Sequence, residues 1–414
     1  MRFKKIVRQQ LYLSWPVVLA ALKTVLKGEI IKGNKIEEFE EQFAHYLGVK
    51  YALSLPSGRM SLYVSLKALK LNPGSEIIIP SFNVPEVVST VIWAGMYPKF
   101  VDIDPATYNI SPELIEEKIS EKTGAILLTP LYGQPAQIDK ILSLAKRHGI
   151  RVIEDAAQAP GASYQGKRVG AFGEIAYFSF GLVKNLNCLG GGMAVTDSKD
   201  LYEEMKSVVQ GFRLPSSFKL AKDLVSAMVI WIATSPLIFS TVVYPVLAIV
   251  NNIKRGMIDE AFNEDLSELT RSEPPVYYRV KFTNLQAAMG IEQLKILDRD
   301  NEKRKKNGEL LNALLKDHKK IDIPSVIPDA ESTYLNYVIK LKDRERIMEK
   351  LFKKGIDVTK GFLIDCSSHQ LFKDYQTESF HARFLSQQGF YLPIYPSLKD
   401  KDVYYIAETL KEVV

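Results

Sequence analysis

Short apolar runs alternate with helix-like segments between about residues 50 and 200, and this alternation constrains the fold more than any other feature of the sequence. Gly, Pro or Asp bounds each run, as expected for strands buried on both faces of a largely parallel sheet. The runs are "EIIIPS", "PKFVDID", "AILLTPLYG", "RVIEDAA", "IAYFSF" and "GMAVTD". Several end in a polar residue or glycine, and open α/β sheets build their sites at the carboxyl ends of strands. The sequence therefore predicts an α/β fold with a site at that edge.

The flanking segments predict helices and a second, smaller domain. "KIEEFEEQFAHYLG" before the sheet and "NLQAAMGIEQLKILDRDNEKRKKNGELLNALLKD" after it have the spacing of amphipathic helices. The tail contains two candidate strands, "LNYVIKL" and "GFYLPIYP", and the helix "DRERIMEKLFKKG", which indicate an α+β domain. We predict an N-terminal basic and apolar segment at 1–27, a large domain at 28–218 and 256–310, a hydrophobic insertion at 219–255 and a small C-terminal domain at 311–414.

The composition excludes several classes of function. The 54 basic and 48 acidic residues give a net charge of +6 and are interspersed along the chain, so we expect no nucleic-acid partner. The two cysteines, Cys188 and Cys366, lie far apart and predict neither a metal site nor a disulfide framework, which favours a reducing cytosol. The N-terminal "MRFKKIVRQQLYLSWPVVLA" has no signal-peptide cleavage site, so we expect it to be retained. It has the composition either of a segment that touches an anionic membrane or of an ordinary amphipathic start.

Residues 224–253 form a run of about 30 residues without a charge, longer than the roughly 20 needed to cross a bilayer core. Ser235-Pro236 divides the run into legs of about 12 and 14 residues, each roughly 20 Å long if helical and too short to span. Basic residues flank the run on both sides: Lys219, Lys222, Lys254 and Arg255. The pattern predicts a helical hairpin that enters the membrane from one side or lies on it. The alternative is a buried hairpin at an oligomer interface.

Four features of the large domain together describe a site for pyridoxal phosphate (PLP). Asp155 follows a strand and is placed to pair with a protonated ring nitrogen, although such an acid is more often a loop cap. Ser57-Gly58-Arg59 precedes a helix whose N-terminus suits a phosphate, although it also fits an ordinary helix start. Ser179 ends the next strand, and Lys184 follows on a turn, where a lysine with a lowered pKa forms a Schiff base. Lys184 alone would be a solvated surface lysine, but the four elements in this order match what PLP requires.

The chain resembles the DegT/DnrJ-type family of PLP-dependent sugar aminotransferases from about residue 28 to 212 and from about 277 to the end. The matching stretches are "FEEQFAHYLGVKYALSLPSGR", "GSEIIIPSFNV", "PKFVDIDPATYNI", "LYGQPAQID", "VIEDAAQAPGA", "FSFGLVKNLNCLGGGMAVT" and "NLQAAMGIEQL". The resemblance implies a fold-type-I aminotransferase that acts as a homodimer. The expected architecture is a mainly parallel sheet with helices on both faces, a smaller C-terminal α+β domain and the inserted hydrophobic helical hairpin.

The resemblance also implies roles for individual residues. Lys184 is the expected catalytic residue, which holds the cofactor and carries protons during turnover. Asp155 is expected on the pyridine nitrogen and Gln158 against the cofactor ring, while Ser179 and the Gly58-Arg59 turn hold the phosphate. The presence of Lys184 argues against the dehydratase branch of the family, in which histidine replaces this lysine.

Several positions depart from the family pattern. Arg59 stands in place of a threonine, so a guanidinium replaces a hydroxyl near the phosphate. Val84 stands where an aromatic residue usually stacks on the cofactor, and Pro160 where a histidine is frequent. Arg279 and Lys281 occupy the positions of a family asparagine and arginine, and Arg279 is a candidate ligand of the partner subunit's phosphate.

The sequence therefore predicts an aminotransferase that moves an amino group from an amino acid, glutamate by analogy, to a keto-sugar. The hydrophobic insertion adds the hypothesis of a surface-glycan or lipid-linked pathway at the cytoplasmic face of the cell membrane. Two alternatives stay open at this point: a non-catalytic membrane-associated scaffold or regulator with the same fold, and a PLP enzyme that acts on a non-sugar ketone.

Overall fold

The computed structural model describes residues 4–253, 269 and 271–414. In chain order, its strands are β1 (Tyr51–Leu55), β2 (Glu76–Pro80), β3 (Phe82–Asn83), β4 (Tyr97–Val101), β5 (Thr123–Leu128), β6 (Arg151–Asp155), β7 (Ser163–Tyr164), β8 (Lys167–Arg168), β9 (Ile175–Ser179), β10 (Gly192–Thr196), β11 (Ala330–Glu331), β12 (Tyr337–Lys340), β13 (Ile364–Asp365) and β14 (Gly389–Leu392). The helices are α1 (Trp15–Leu26), α2 (Lys35–Leu47), α3 (Gly58–Ala68), α4 (Pro85–Trp93), α5 (Pro112–Glu116), α6 (Ile138–His148), α7 (Lys199–Val209), α8 (Ser217–Ala233), α9 (Pro236–Ile238), α10 (Tyr244–Ile253), α11 (Asn284–Leu315), α12 (Arg344–Lys353), α13 (Phe380–Gln388) and α14 (Asp400–Val413).

Seven strands form the central sheet in the order β1-β10-β9-β6-β5-β2-β4. Strands β9, β6, β5, β2 and β4 are parallel, while β10 runs antiparallel between β1 and β9. All six apolar runs noted in the sequence are strands of this sheet. The predicted α/β fold with a mainly parallel sheet is therefore confirmed.

Aromatic side chains fill the space between the sheet and helices α2 and α11. Phe39 and Phe43 of α2 are fully buried and meet Phe178 and Phe180 at the end of β9. Phe282, just before α11, stacks on Phe39 with ring centroids 6.1 Å apart. Since truncation of a buried phenylalanine to alanine costs about 3–5 kcal/mol, this cluster fixes the end of β9 firmly beneath the site described below.

The C-terminal region has the predicted α+β character. The two strands foreseen there, β12 and β14, pair antiparallel and bury most of their side chains. Helices α12 and α14 supply Leu351, Ile406 and Leu410 to the same apolar cluster, which also includes Leu311 of α11. The long helix α11 therefore belongs to the cores of both parts of the chain.

The charge-free segment is a bent pair of helices rather than a hairpin. The break falls at Ser235-Pro236, as the sequence indicates, but the legs Ser217–Ala233 and Pro236–Val250 are bent by 64° and do not fold back on each other. Each leg has its own support: Trp231 packs edge-on against Trp15 of α1, whereas Tyr244 stacks on Phe352 of α12. The predicted flanking residues Lys254 and Arg255 lie outside the described residues.

Within the described ranges, every single helix is too short or too polar to cross a bilayer, and the bent pair alone meets the length and composition for it.

Candidate active site

The carboxyl edge of the parallel strands brings together residues that are far apart in sequence. Asp155 is the last residue of β6 and Ser179 the last residue of β9, and these two strands are neighbours in the sheet. Helix α3 begins at Gly58 against the same edge, because Ser57 bridges to Gly191 just before β10. The edge therefore assembles three of the predicted site residues.

Gly58 and Ser179 form a tight cradle at the N-terminus of α3. A Cβ atom on residue 58 would lie 2.7 Å from the Ser179 Cβ and 3.2 Å from its Oγ, so only glycine fits. The Ser57 hydroxyl caps the helix by accepting the Met60 N–H at 3.2 Å, which leaves other first-turn N–H groups without an intrahelical acceptor. A hydroxyl beside the positive end of an 11-residue helix is the chemistry that binds a phosphate.

The loop between β9 and β10 carries Lys184 and is tied down on both sides of it. The Val183 carbonyl accepts the Gln9 side-chain amide at 3.0 Å, and the Asn185 amide donates to Asn301 of α11 at 3.1 Å. The loop closes at Gly191, whose φ of 98° and close approach to the Phe282 ring both require glycine. These ties hold the lysine at the sheet edge.

Lys184 and Asp155 influence each other electrostatically. Burial lowers the pKa of the Lys184 amine, while Asp155 and Glu86 oppose that shift. Burial raises the pKa of the Asp155 carboxyl, and the Tyr177 hydroxyl, the Ala157 N–H and Lys184 oppose it. A lysine with a lowered pKa is a better nucleophile and proton carrier at neutral pH, and a buried carboxylate is stabilised by a positive partner.

Gln158 is held in place by the segment that follows β5. Its side-chain oxygen accepts the Tyr132 N–H at 2.9 Å, and both residues are buried. Gln158 ends a short 3-10 turn that starts directly after Asp155. Gln158, which is predicted to lie against the cofactor ring, thus follows closely after Asp155, which is predicted to pair with the ring nitrogen.

Arg59 is engaged by two residues that the sequence did not single out. Its guanidinium donates to the Tyr278 hydroxyl at 2.6 Å, lies 4.8 Å from that ring and has Glu86 at 3.7 Å. Glu86 stands in the first turn of α4, and Tyr278 lies in the segment before α11. Glu86 could have been identified from the sequence as a polar residue soon after the strand "EIIIP", whereas no local pattern marks Tyr278.

A third missed residue is Glu154, the neighbour of Asp155 on the opposite face of β6. It is fully buried, and its carboxylate accepts three backbone N–H groups, from Gly170, Phe172 and Gly173, at 2.6 to 2.7 Å. Burial raises its pKa, and these three N–H groups oppose the rise. Glu154 therefore fixes the loop before β9 and takes no part in the site itself.

The remaining departures from the family pattern occupy different surroundings. Val84 caps α4 and packs against the apolar clusters on both sides of it. Pro160 is buried, and its carbonyl accepts the Asn301 amide at 2.8 Å. Arg279 pairs with Glu273 at 2.8 Å, and Lys281 is exposed, so neither lies in the cradle of the same chain. The predicted contact of Arg279 with a partner subunit's phosphate stays a prediction.

This constellation fits PLP. The Gly58–Ser179 cradle suits a phosphate, the buried Asp155 suits a protonated ring nitrogen, and Lys184 with its lowered pKa suits covalent attachment. In the described part of the chain, no group of three or more His, Cys, Asp or Glu side chains is arranged to hold a metal ion. The fold and site together define a PLP-dependent aminotransferase.

Comparison with known proteins identifies the family. The chain belongs to the DegT/DnrJ/EryC1/StrS aminotransferase family, whose sequence model matches residues 17–223 and 254–411. It is 29% identical over 388 residues to the GDP-perosamine synthase of Escherichia coli O157:H7, covering 92% of this chain and 90% of that protein. It is also 29% identical over 400 residues to the dTDP-3-amino-3,6-dideoxy-alpha-D-galactopyranose transaminase of Aneurinibacillus thermoaerophilus, covering 94% and 93%.

The structural comparison agrees. The crystal structure of DesV from S. venezuelae in complex with a ketimine intermediate superimposes with a TM-score of 0.75 at 25% identity, covering 96% of this chain and 93% of that one. The predicted family, fold, cofactor and enzyme class are thereby confirmed. Between its two matched parts, the family model leaves residues 224–253 unmatched, and these are the residues of the charge-free segment.

Proposed function

We propose that this enzyme transfers an amino group from an amino acid to the keto group of a nucleotide-linked sugar. The observation that carries the proposal is the convergence of Lys184, Asp155 and the Gly58–Ser179 cradle at one sheet edge in a chain of this family. Its relatives are named for aminated sugars attached to GDP and dTDP. The same relatives support a sugar acceptor over the non-sugar ketone.

Different residues of the chain have different roles in the proposed reaction. PLP supplies the electron sink that stabilises negative charge at the reacting carbon. Lys184 would hold the cofactor and serve as the proton carrier, a role that suits it because burial lowers the pKa of its amine. Asp155 would pair with the ring nitrogen, Gln158 would lie against the ring, and Ser179 with the start of α3 would hold the phosphate.

Two finer points belong to the proposal. Glutamate is the proposed amino donor, by analogy with related transaminases. A homodimer is the proposed assembly, in which Arg279 reaches the partner's phosphate from the segment before α11.

We also propose that the enzyme works at the cytoplasmic face of the cell membrane, in the synthesis of a surface glycan or lipid-linked sugar. The support is the 224–253 segment, which the family model leaves unmatched and in which many large apolar side chains are exposed.

Product analysis tests the catalytic proposal. Purified enzyme is incubated with PLP, glutamate and a panel of nucleotide-linked keto-sugars, with a non-sugar ketone and a lipid ketone as comparison acceptors, and products are identified by mass spectrometry. An aminated nucleotide sugar is expected for wild type and absent for Lys184→Ala. Amination of the non-sugar ketones alone would replace the sugar proposal.

A further inference from the structure

Helices α1 and α8 each present an apolar stripe to the outside of the molecule. In α1 the outer stripe is Trp15, Leu19, Leu22 and Leu26, with exposed fractions of 67, 60, 41 and 87%. In α8 it is Phe218, Val225, Val229 and Ile232, with exposed fractions of 81, 59, 59 and 50%. Both stripes have the spacing of one helix face.

The opposite sides of the same helices are also apolar. Val17, Val18 and Ala21 of α1 and Leu220 and Ala227 of α8 are buried in one cluster. Leu285 and Met289 of α11 complete that cluster. A helix that is apolar on two sides usually has an apolar environment on both. Here the protein core covers only the inner side of each helix.

The two helices run antiparallel. The Trp15 and Trp231 rings meet at 5.6 Å, at the start of α1 and the end of α8, while Leu22 and Leu224 line one small cavity near the other ends. The end of α1 therefore lies beside the start of α8.

That shared end is rich in lysine. Its charged side chains are Lys23 and Lys27 of α1, Lys219 and Lys222 of α8, and two carboxylates, Glu29 and Asp223; all but the half-buried Asp223 are exposed. We call the two outer stripes and these four lysines the docking face. Scattered apolar side chains are ordinary on a protein surface, whereas exposed apolar stripes on two neighbouring helices, with charged residues beside them, are typical of a site that binds a membrane or another protein.

We propose that the docking face is a binding site for an anionic lipid bilayer, in which α1 and α8 lie in the interface and the four lysines contact phosphate headgroups. The inference rests on the membrane location proposed above and names both its partner and the part that the N-terminal helix plays. A bilayer suits both halves of the face, since acyl chains cover the apolar stripes and anionic headgroups match the lysines. The second leg also exposes apolar residues, namely Val242, Val246 and Ile249.

Vesicle sedimentation of the full-length holoenzyme tests the proposal. Vesicles of phosphatidylcholine alone and of phosphatidylcholine with phosphatidylglycerol are compared. Wild type is expected to sediment with the anionic vesicles and to bind the neutral ones more weakly. A variant with Lys23, Lys27, Lys219 and Lys222 changed to glutamine is expected to bind anionic vesicles at least about tenfold less well, and a variant with Leu19→Gln and Val229→Gln is expected to lose binding to both.

The control is Lys140→Gln with Lys146→Gln on α6, two exposed lysines away from the docking face, which should bind as wild type does. Each variant is first checked by circular dichroism and by cofactor absorbance, so that misfolding is separated from loss of docking.

The possible failures are distinguishable. Wild type that binds neither vesicle would end both this inference and the membrane location. If wild type binds both vesicles equally, and the lysine variant and the Leu19→Gln and Val229→Gln variant bind as wild type does, the membrane location would stand and the docking face would be overturned. A Leu19→Gln and Val229→Gln variant that changes from dimer to monomer by light scattering, with no vesicle binding by wild type, would assign the face to a second copy of the chain.

Discussion

Replacement of Gly58 by alanine tests the phosphate cradle with a single added carbon. The new Cβ would lie 2.7 Å from the Ser179 Cβ and 3.3 Å from its Cα, both of which are held by strand β9. The φ of residue 58 lies outside the left-handed region, so the effect is steric and not a matter of backbone strain. Overpacking of this kind costs about 1–3 kcal/mol, and we expect the unfolding free energy of the cofactor-free protein to fall by that amount.

The same displacement should weaken cofactor binding. If the Ser179 hydroxyl donates to the phosphate, loss of that charged hydrogen bond costs about 1.5–3 kcal/mol. This corresponds to an increase of about 10- to 150-fold in the Kd for PLP. The expected result for Gly58→Ala is thus a higher Kd for PLP with little change in secondary structure.

Urea denaturation without cofactor and titration with PLP, followed by absorbance, measure the two effects separately. Gly211→Ala is the matched control, because Gly211 also has an ordinary φ and no atom lies within 4 Å of its Cβ position. The reasoning is refuted if Gly58→Ala binds PLP as tightly as Gly211→Ala does, since the cradle would then hold no phosphate.

Three further predictions concern the surroundings of the site. Glu86→Gln removes a carboxylate that raises the pKa of Lys184, so the pKa should fall further and the pH midpoint of PLP attachment, followed by absorbance, should move to lower pH; an unchanged or higher midpoint contradicts this. Glu154→Ala leaves three backbone N–H groups without their acceptor and should lower the unfolding free energy in urea by about 3 kcal/mol. The exposed Glu117→Ala is its control and should leave the unfolding free energy nearly unchanged, so equal losses in the two variants would contradict the role of Glu154. Asn185→Ala cuts the tie between the lysine loop and α11, so steady-state kinetics should show a lower kcat with little change in KM for the amino donor; an unchanged kcat would mean that other contacts hold the loop.

The parts of the site that the sequence predicts are those that parallel strands align. Asp155 and Ser179 end apolar runs, and parallel strands end at the same edge of a sheet, so their placement at one edge follows from local pattern, whereas the pairing of β6 with β9 does not. The position of Lys184 follows from the turn between β9 and β10. In contrast, Glu86 and Tyr278 meet at Arg59 only through the packing of segments that are distant in sequence, for which no local pattern exists.

The inserted segment shows the same division between local and tertiary causes. The proline at position 236 predicts the break, because proline ends a helix before it. The direction of the two legs depends on Trp15 and Phe352, which lie in other parts of the sequence, so the hairpin prediction was wrong in its geometry. The sequence analysis did not predict helix α1, because the helix is apolar on both sides and lacks the polar face by which an amphipathic helix is recognised.

The most direct test of the account is the visible absorption spectrum of the purified protein with PLP, before and after addition of excess glutamate. Wild type and the control Lys199→Ala, which changes an exposed lysine on α7, should both show a visible band from the covalently attached cofactor, and glutamate should bleach it. Lys184→Ala should show neither the band nor the bleaching. A glutamate-sensitive band that persists in Lys184→Ala would contradict the assignment of Lys184 as the catalytic residue.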